Sequence, residues 1–224
     1  MNSYFQLNLL GRDFALGDLH GQYKRLMTML VNLKFDFSKD RLFSLGDFID
    51  RGPSSQECLE LLNEPWFYSV KGNHEDLLVK TFEDESMRPV WNANGGAWAN
   101  NIGRDALAKY KTMLCNLPLV IIIGTGKDRV NLIHAEFFGT DKKLDAGNYP
   151  PIIFQQLLWG RRLINEPAKY RHLSLMSRTF CGHSVVKSPL KIGSQIYLDT
   201  GAGFIEKGGK LTICNITENR FYSI

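Results

Sequence analysis

The chain has 224 residues, 44% of them hydrophobic and 22% charged, and its formal net charge is +4 at pH 7. These values are typical of a globular protein with a sizeable core, and we expect one domain spanning residues 1–224. The lysines and arginines are scattered, which argues against a nucleic-acid partner. The N-terminus lacks the pattern of a signal peptide and no apolar run is long enough to cross a bilayer, so we expect a cytoplasmic protein that does not bind membranes.

The first half of the chain alternates strand-like and helix-like segments. Three apolar segments that end in polar residues are predicted as strands: 13–18 (DFALGD), 41–47 (RLFSLGD) and 66–75 (WFYSVKGNHE). A segment with helical character follows each of them: 22–35, 56–64 and 76–85. Strands and helices that alternate through short links favour an α/β fold with parallel neighbouring strands.

The second half changes character. Residues 87–117 are predicted to be mostly helical, and 152–164 (IIFQQLLWGRRLI) is predicted as one helix. Further strands are predicted around a glycine-rich turn in 118–136 and in 195–204 and 210–216. This pattern predicts a fold whose sheets mix parallel and antiparallel strands.

Polar side chains recur where the predicted strands end. The motifs are GDLHG with Asp18 and His20, GDFIDRG with Asp47, Asp50 and Arg51, GNHE with Asn73 and His74, IHAE with His134, and CGHS with His183. Four of the five histidines therefore lie at strand ends, while His172 lies in a polar segment and is expected at the surface. In an α/β sheet, groups at the carboxyl ends of the strands converge in one crevice.

The converging groups have the chemistry of a metal site. They comprise three imidazoles, two carboxylates and one amide oxygen: His20, His134, His183, Asp18, Asp47 and Asn73. Nitrogen and oxygen ligands without thiolate suit Mn²⁺, Fe or Zn²⁺. Six ligands are too many for one ion that keeps an open position, but they suit two ions about 3.5–4 Å apart that share a bridging carboxylate.

Taken in order, GDLHG, GDFIDRG, GNHE, HAE and GHS resemble the phosphoprotein phosphatase family of metallophosphoesterases. WNANGGAWAN, and LLWGRR upstream of GHSVVKSPLKIGSQIYLDTGAGF, are similar to its bacteriophage-lambda type. The resemblance covers nearly the whole chain. It implies the calcineurin-like fold, which is a mixed β-sandwich flanked by helices with a dinuclear metal site at strand ends. It also implies a phage or bacterial origin and serine/threonine protein phosphatase activity.

The resemblance assigns roles residue by residue. It gives Asp18, His20 and Asp47 to one ion, and it completes the second ion with the bridging Asp47 and with Asn73, His134 and His183. Mn²⁺ is the favoured metal, with Fe, Zn²⁺ and Ni²⁺ as alternatives. Arg51 and Arg161 would hold the phosphate oxygens, although the neighbouring Arg162 leaves the choice of the second arginine open.

A mechanism follows from these roles. Two ions lower the pKa of a bridging water, so that hydroxide can attack the phosphorus directly. A serine or threonine alkoxide is a poor leaving group, and His74 is the candidate general acid that protonates it. Asp50 would orient His74. We expect phosphorylated proteins as substrates, phosphotyrosine and phosphohistidine included among the candidates, and we expect no dedicated regulatory subunit.

Three alternatives are weighed. A symmetrical diadenosine tetraphosphatase shares GDLHG and the later histidines, but that group usually has alanine at the position of Asp50 and GNHD in place of GNHE. Nucleases and phosphodiesterases of the wider superfamily commonly have GHxH, whereas Val185 stands at the second histidine here. A catalytically inactive phosphoprotein-binding module would have lost a ligand, and all six are present. Trp98 is expected either at the rim of the cleft or in the core.

Overall fold

Two β-sheets carry the functional motifs at one end of their strands. The computed structural model describes residues 2–224. Its strands are β1 (Asn2–Phe5), β2 (Asp13–Leu16), β3 (Arg41–Ser44), β4 (Phe67–Ser69), β5 (Val120–Ile123), β6 (Val130–Ile133), β7 (Gly139–Thr140), β8 (Ser174–Leu175), β9 (Arg178–Cys181), β10 (Leu190–Ile192), β11 (Gln195–Tyr197), β12 (Thr212–Asn215) and β13 (Arg220–Ser223).

The helices lie between these strands in the chain. They are α1 (Tyr23–Asn32), α2 (Ser55–Glu60), α3 (Asn73–Glu83), α4 (Arg88–Ala93), α5 (Arg104–Cys115), α6 (Asp141–Asp145), α7 (Pro151–Trp159), α8 (Arg162–Asn165) and α9 (Pro167–Tyr170). A 3-10 helix, Gly96–Asn101, joins α4 to the loop before α5. Within residues 2–224, no helix is long and apolar enough to cross a membrane.

The sheets mix strand directions, as the sequence predicts. The larger sheet has the order β1-β5-β6-β9-β11-β10 and the other has the order β13-β12-β2-β3-β4. Pairs β2/β3, β3/β4 and β6/β9 are parallel, whereas β12/β2 and β5/β6 are antiparallel. A separate two-stranded sheet pairs β7 with β8.

The two sheets pack face to face, with helices on the outer faces. Alternation along β2 shows the arrangement: Ala15 packs in the core between the sheets, while Phe14 and Leu16 pack against the helices. The core between the sheets also takes residues of β5, β6 and β9, which belong to the larger sheet. On its other face, the larger sheet packs against α6, α7 and α8 through a separate cluster of buried hydrophobic residues. The observed order of layers is the mixed β-sandwich flanked by helices that the resemblance implies.

Two predicted elements need correction. The helix predicted over 152–164 is broken: α7 ends at Trp159, Gly160 is extended, and α8 begins at Arg162. Gly160 packs so closely on Glu136 that a Cβ there would collide with that side chain. The third helix begins at Asn73 rather than at 76, so His74 lies in its first turn and not at a strand end.

Candidate metal centre

The residues that the sequence predicts as a metal centre lie together where the strands of both sheets end. The loops after β2 and β3 and the first turn of α3 bring residues from one sheet, and the loops after β6 and β9 bring residues from the other. The side chains gathered there are buried: Asp18, His20, Asp47, Asp50, Asn73, His74, His134 and His183. Arg51 and Arg161 lie at the same end and are more exposed.

Asp47 lies at the middle of this group. Its Oδ2 atom is 3.4 Å from His134 Nε2, 3.8 Å from His74 Nε2 and 4.0 Å from His20 Nε2. Two sets of three side chains have converging donor atoms, His20 with Asp47 and His74, and Asp47 with His134 and His183. Because Asp47 belongs to both sets, its carboxylate has the position expected of a ligand that bridges two ions.

Hydrogen bonds to the backbone orient the histidine rings. His20 Nδ1 lies 3.0 Å from the carbonyl oxygen of Ile49, and His134 Nδ1 lies 2.7 Å from that of Leu45. A carbonyl oxygen can only accept, so each Nδ1 carries the proton and Nε2 is the nitrogen that faces the centre, where His20 Nε2 accepts from Arg51 Nη1 at 2.7 Å. This is the arrangement in which a histidine presents Nε2 to a metal ion.

The charges around the centre suit a bound cation. His134 has an acceptor at both nitrogens, because its Nε2 lies 2.9 Å from Asn73 Oδ1 and 3.4 Å from Asp47 Oδ2. A neutral imidazole has only one N–H, which His134 Nδ1 donates to Leu45. The contacts of Nε2 with oxygen atoms therefore need either a second proton on the ring or a bound cation. Burial, together with the charges of Asp199 and Asp47, raises the pKa of Asp18 well above its ordinary value. These buried oxygens and imidazoles therefore fit divalent ions bound by nitrogen and oxygen ligands.

His74 and Asp50 form a buried pair beside the centre. His74 Nδ1 donates to Asp50 Oδ2 at 2.7 Å, and Arg51 Nη2 donates to His74 Nε2 at 3.0 Å. Burial alone would lower the pKa of His74, but the charges of Asp47 and Asp50 outweigh it and the pKa is raised. The Nε2 atom of His74 thus faces the same space as the metal-binding groups, with Asp50 behind the ring.

The two neighbouring arginines point to different places. Arg161 donates from Nε to His183 Nε2 at 3.1 Å and from Nη2 to the carbonyl oxygen of His183 at 3.2 Å. Arg162 instead lies 3.5 Å from a carboxylate oxygen of the buried Glu136 and stacks over Phe138. The break at Gly160 separates the two directions, so Arg161 faces the centre and Arg162 does not.

Comparison with known proteins agrees with this geometry. Residues 14–187 match the family model described as calcineurin-like phosphoesterase. The chain belongs to this family. Serine/threonine-protein phosphatase 1 of Salmonella typhimurium is 33% identical over 211 residues, which cover 91% of each chain. Serine/threonine-protein phosphatase 2 of Escherichia coli is 32% identical over 84% of this chain and 87% of its own. These relatives confirm the resemblance to the phosphoprotein phosphatases.

Nucleotide hydrolases also resemble this phosphoesterase, one in sequence over a shorter part of the chain and another in its fold. The symmetrical bis(5'-nucleosyl)-tetraphosphatase of Dechloromonas aromatica is 38% identical over 72 residues, or 31% of this chain and 26% of its own. A crystal structure provisionally named a diadenosine tetraphosphatase superposes with a TM-score of 0.71 at 23% identity, covering 99% of this chain and 97% of that one. The second similarity establishes the calcineurin-like fold.

Backbone strain in the phosphoesterase concentrates at the metal centre. Within residues 2–224, seven residues other than glycine have positive φ, and five of them lie here: His20, Asp47, Asp50, Arg51 and His183. Such conformations cost on the order of 1–3 kcal/mol each and persist only when the surrounding structure holds them. The strain turns the chain sharply after the strands, so that the side chains converge instead of following the strand direction.

Two buried acids of the centre were not assigned from the sequence. Glu75 accepts hydrogen bonds from the backbone N–H groups of Asp47 at 2.8 Å, Phe48 at 3.0 Å and Gly72 at 2.9 Å, and so ties the first turn of α3 to the loop that bears Asp47. Burial, followed by the charge of Asp47, raises the pKa of Glu75 to about 7. Burial raises the pKa of Asp199 to about 6. Asp199 also follows a strand and precedes Thr-Gly, so it carries the same signal as the predicted motifs.

Proposed function

We propose that this phosphoesterase hydrolyses phosphoserine and phosphothreonine in proteins, with His74 as general acid and Asp50 as the residue that orients it. The observation that carries the proposal is the 2.7 Å hydrogen bond between His74 Nδ1 and the buried Asp50. The serine/threonine phosphatases that are similar over most of the chain support the same substrate class.

The buried pair favours a substrate with a poor leaving group. When a serine or threonine phosphate is cleaved, an alkoxide departs and needs a proton as the bond breaks. Hydrolysis of a phosphoanhydride in a nucleoside polyphosphate releases a phosphate or a nucleoside phosphate, which is a stable anion without protonation. A His–Asp pair whose Nε2 atom faces the centre is therefore useful for phosphomonoesters of alcohols and of little use for nucleoside polyphosphates.

The residues of the centre divide the work of the reaction. When bound, two divalent ions would supply Lewis-acid charge and an activated water, held by Asp18, His20, Asp47, Asn73, His134 and His183. Arg51 and Arg161 would hold the phosphate oxygens, since guanidinium groups match phosphate geometry. Once Arg51 holds the phosphate instead of His74 Nε2, His74 would carry a proton at Nε2 and transfer it to the leaving oxygen, while Asp50 stabilises the ring through Nδ1.

Replacing His74 tests the acid. We expect His74→Asn to slow hydrolysis of a phosphoserine peptide by about 10²–10⁴-fold. Hydrolysis of 4-nitrophenyl phosphate, whose leaving group is stable unprotonated, should change far less. His172→Asn is a matched control, because His172 is exposed and lies outside every motif. Steady-state kinetics on both substrates decide the matter, and equal losses on the two would rule out the acid role.

Hydrolysis of diadenosine tetraphosphate is a second candidate function. It is favoured by the local similarity to symmetrical tetraphosphatases and by the structure with a TM-score of 0.71. Metal-stripped protein supplied with Mn²⁺ should be assayed side by side on a phosphoserine peptide and on diadenosine tetraphosphate. Faster release from the peptide supports the protein phosphatase, and preference for the nucleotide supports the second candidate.

A further inference from the structure

Asp50 accepts more hydrogen bonds than its role beside His74 requires. Besides the bond from His74, the indole Nε1–H of Trp91 donates to Asp50 Oδ2 at 2.7 Å and that of Trp98 donates to Asp50 Oδ1 at 2.7 Å. Asp50 is fully buried, and both of its oxygens are thus occupied by short hydrogen bonds. Donors to an ionised carboxylate form stronger bonds than neutral pairs do.

Indole is well suited to hold a carboxylate in a fixed direction. Its N–H only donates, it does not titrate, and the large ring leaves little freedom once it is packed. Trp91 is fully buried, and its ring meets that of Trp98 edge to face at 6.0 Å between centroids. The two rings therefore fix the plane of the Asp50 carboxylate, and with it the direction of the bond to His74.

The segment that carries the two tryptophans packs closely against the loop that bears Asp50 and Arg51. The carbonyl oxygen of Gly95 accepts a hydrogen bond from the Arg51 N–H at 3.1 Å, and Gly95 itself has φ +108°. A Cβ at Gly95 would lie 2.7 Å from Arg51 Cγ and 2.8 Å from Arg51 N, so only glycine permits the contact. Asp50 and Arg51 both have positive φ, and residues 91–98 hold this strained turn from outside.

We propose that Trp91 and Trp98 are positioning residues of the reaction, which hold Asp50 so that the Nε2 proton of His74 is directed at the leaving group. The inference rests on the proposed function, in which His74 is the general acid. It places Trp98 neither at an open rim nor purely in the core, because its half-buried ring is fixed by a polar contact with Asp50.

Trp98→Phe tests the inference, since it keeps an aromatic ring and removes the N–H donor. We expect hydrolysis of a phosphoserine peptide to fall about tenfold, less than in His74→Asn, while hydrolysis of 4-nitrophenyl phosphate stays within about twofold. In the His74→Asn background the substitution should cost nothing more, because it acts through His74. Trp66→Phe is the matched control: it removes an indole donor of the same core cluster, whose partner is Glu64. Equal losses on the two substrates, or additive losses in the double variant, would overturn the inference.

Indole resonances give a second readout that does not depend on activity. In the ¹⁵N–¹H spectrum of the protein loaded with Mg²⁺, Asp50→Asn should move the signals of Trp91 and Trp98 upfield and leave those of Trp66 and Trp159 in place. If these signals move but the wild-type protein does not hydrolyse the peptide, the proposed function fails while the indole contacts stand. If neither signal moves, the inference fails whatever the substrate proves to be.

Discussion

Carboxylates at the two ends of the β-sandwich have different partners. At the end away from the metal centre, carboxylates have direct partners: Arg41 contacts Asp13 at 2.8 Å and Arg12 contacts Asp40 at 2.6 Å. At the metal centre, the nitrogens of His134, His74 and His20 lie 3.4–4.0 Å from Asp47 Oδ2, and no arginine within residues 2–224 pairs with that oxygen. Asp13 and Asp40 are thus paired with arginines within the chain, whereas Asp47 lies where a bound ion could contact its Oδ2 atom.

The backbone shows the same division. Five residues with positive φ converge on the metal centre, and the other two within residues 2–224, Lys34 and Asn219, lie outside it. Strained backbone and unpaired charge lie at the metal centre, whereas ion pairs and packed sheets at the other end stabilise the fold. Substitutions at the two ends should therefore separate function from stability.

Asp47→Asn should have the largest effect on function. Loss of the central carboxylate should abolish tight binding of both ions and lower phosphatase activity by about 10³-fold or more, because the metal charge is worth several kcal/mol in the transition state. The metal-free fold should change little, since asparagine keeps an oxygen for the His74 N–H now bonded to Asp47 Oδ1 at 3.0 Å. Metal content by mass spectrometry and thermal unfolding would check both points. Retention of two ions would refute the bridging role.

Arg161→Ala and Arg162→Ala should differ by about 10- to 100-fold in kcat/KM. Arg161 faces His183 in the metal centre, and a charge-assisted bond to phosphate contributes about 1.5–3 kcal/mol. Arg162 contacts Glu136 outside the centre, so its loss should lower stability slightly and leave the kinetics nearly unchanged. The two variants control for each other in kinetics on a phosphoserine peptide. Comparable losses in both would refute the assignment of Arg161.

Asp40→Asn should reduce stability without changing activity. Asp40 accepts hydrogen bonds from the Arg12 side chain and from the backbone N–H groups of Arg12 and Asp36, and losing its charge should cost about 2 kcal/mol. Urea denaturation of the wild-type and variant proteins measures this difference, and kinetics on a phosphoserine peptide should be unchanged.

The pH dependence of that difference is a further check. Burial would raise the pKa of Asp40, but the bonds from Arg12 and Asp36 outweigh it and the pKa is lowered. A group with a depressed pKa stabilises the fold above the unfolded value of about 3.9, and this contribution is lost as the pH falls through the folded value. The gap between the two proteins should be constant near neutral pH and shrink below about pH 4. A gap that widens in acid would contradict the ion pair.

The sequence predicts which polar side chains gather at one end of the sheets, because each signal is local. An apolar strand, a glycine and a polar side chain are adjacent in the chain, and parallel strands bring such ends to one edge. His20, Asp47 and His134 lie in the loops where this rule puts them, and the fold class follows from the same alternation. Asp199 was not assigned, although it carries the same strand-end signal.

Other features of the centre depend on contacts between distant segments. The bond from Trp98 to Asp50 joins residues 48 apart in the chain, and no periodicity indicates it. The direction of Arg161 depends on the extended Gly160, whose close packing on Glu136 ends α7 early. The edge strands β1 and β13 were not predicted because they are half exposed and lack a clear alternation of buried and exposed positions.

The smallest predicted effect concerns strain that serves no function. Lys34 has φ +49° just after α1, is exposed, and lies outside every motif of the metal centre. Lys34→Gly should stabilise the protein by about 0.5 kcal/mol, because glycine adopts this conformation without strain while its greater freedom in the unfolded chain offsets part of the gain. Chemical denaturation measures the change, and activity should stay the same.

Lys34→Ala is the control for this variant, since alanine keeps a Cβ and should give no gain. A glycine that destabilises the protein would show that the exposed Lys34 side chain contributes more than its conformation costs. The same relief is not available at Asp50 or Arg51, because glycine there would remove the partner of His74 or a guanidinium group of the centre. If backbone strain is retained at the metal centre for function, a glycine should relieve it without loss of activity at Lys34 but not at Asp50 or Arg51.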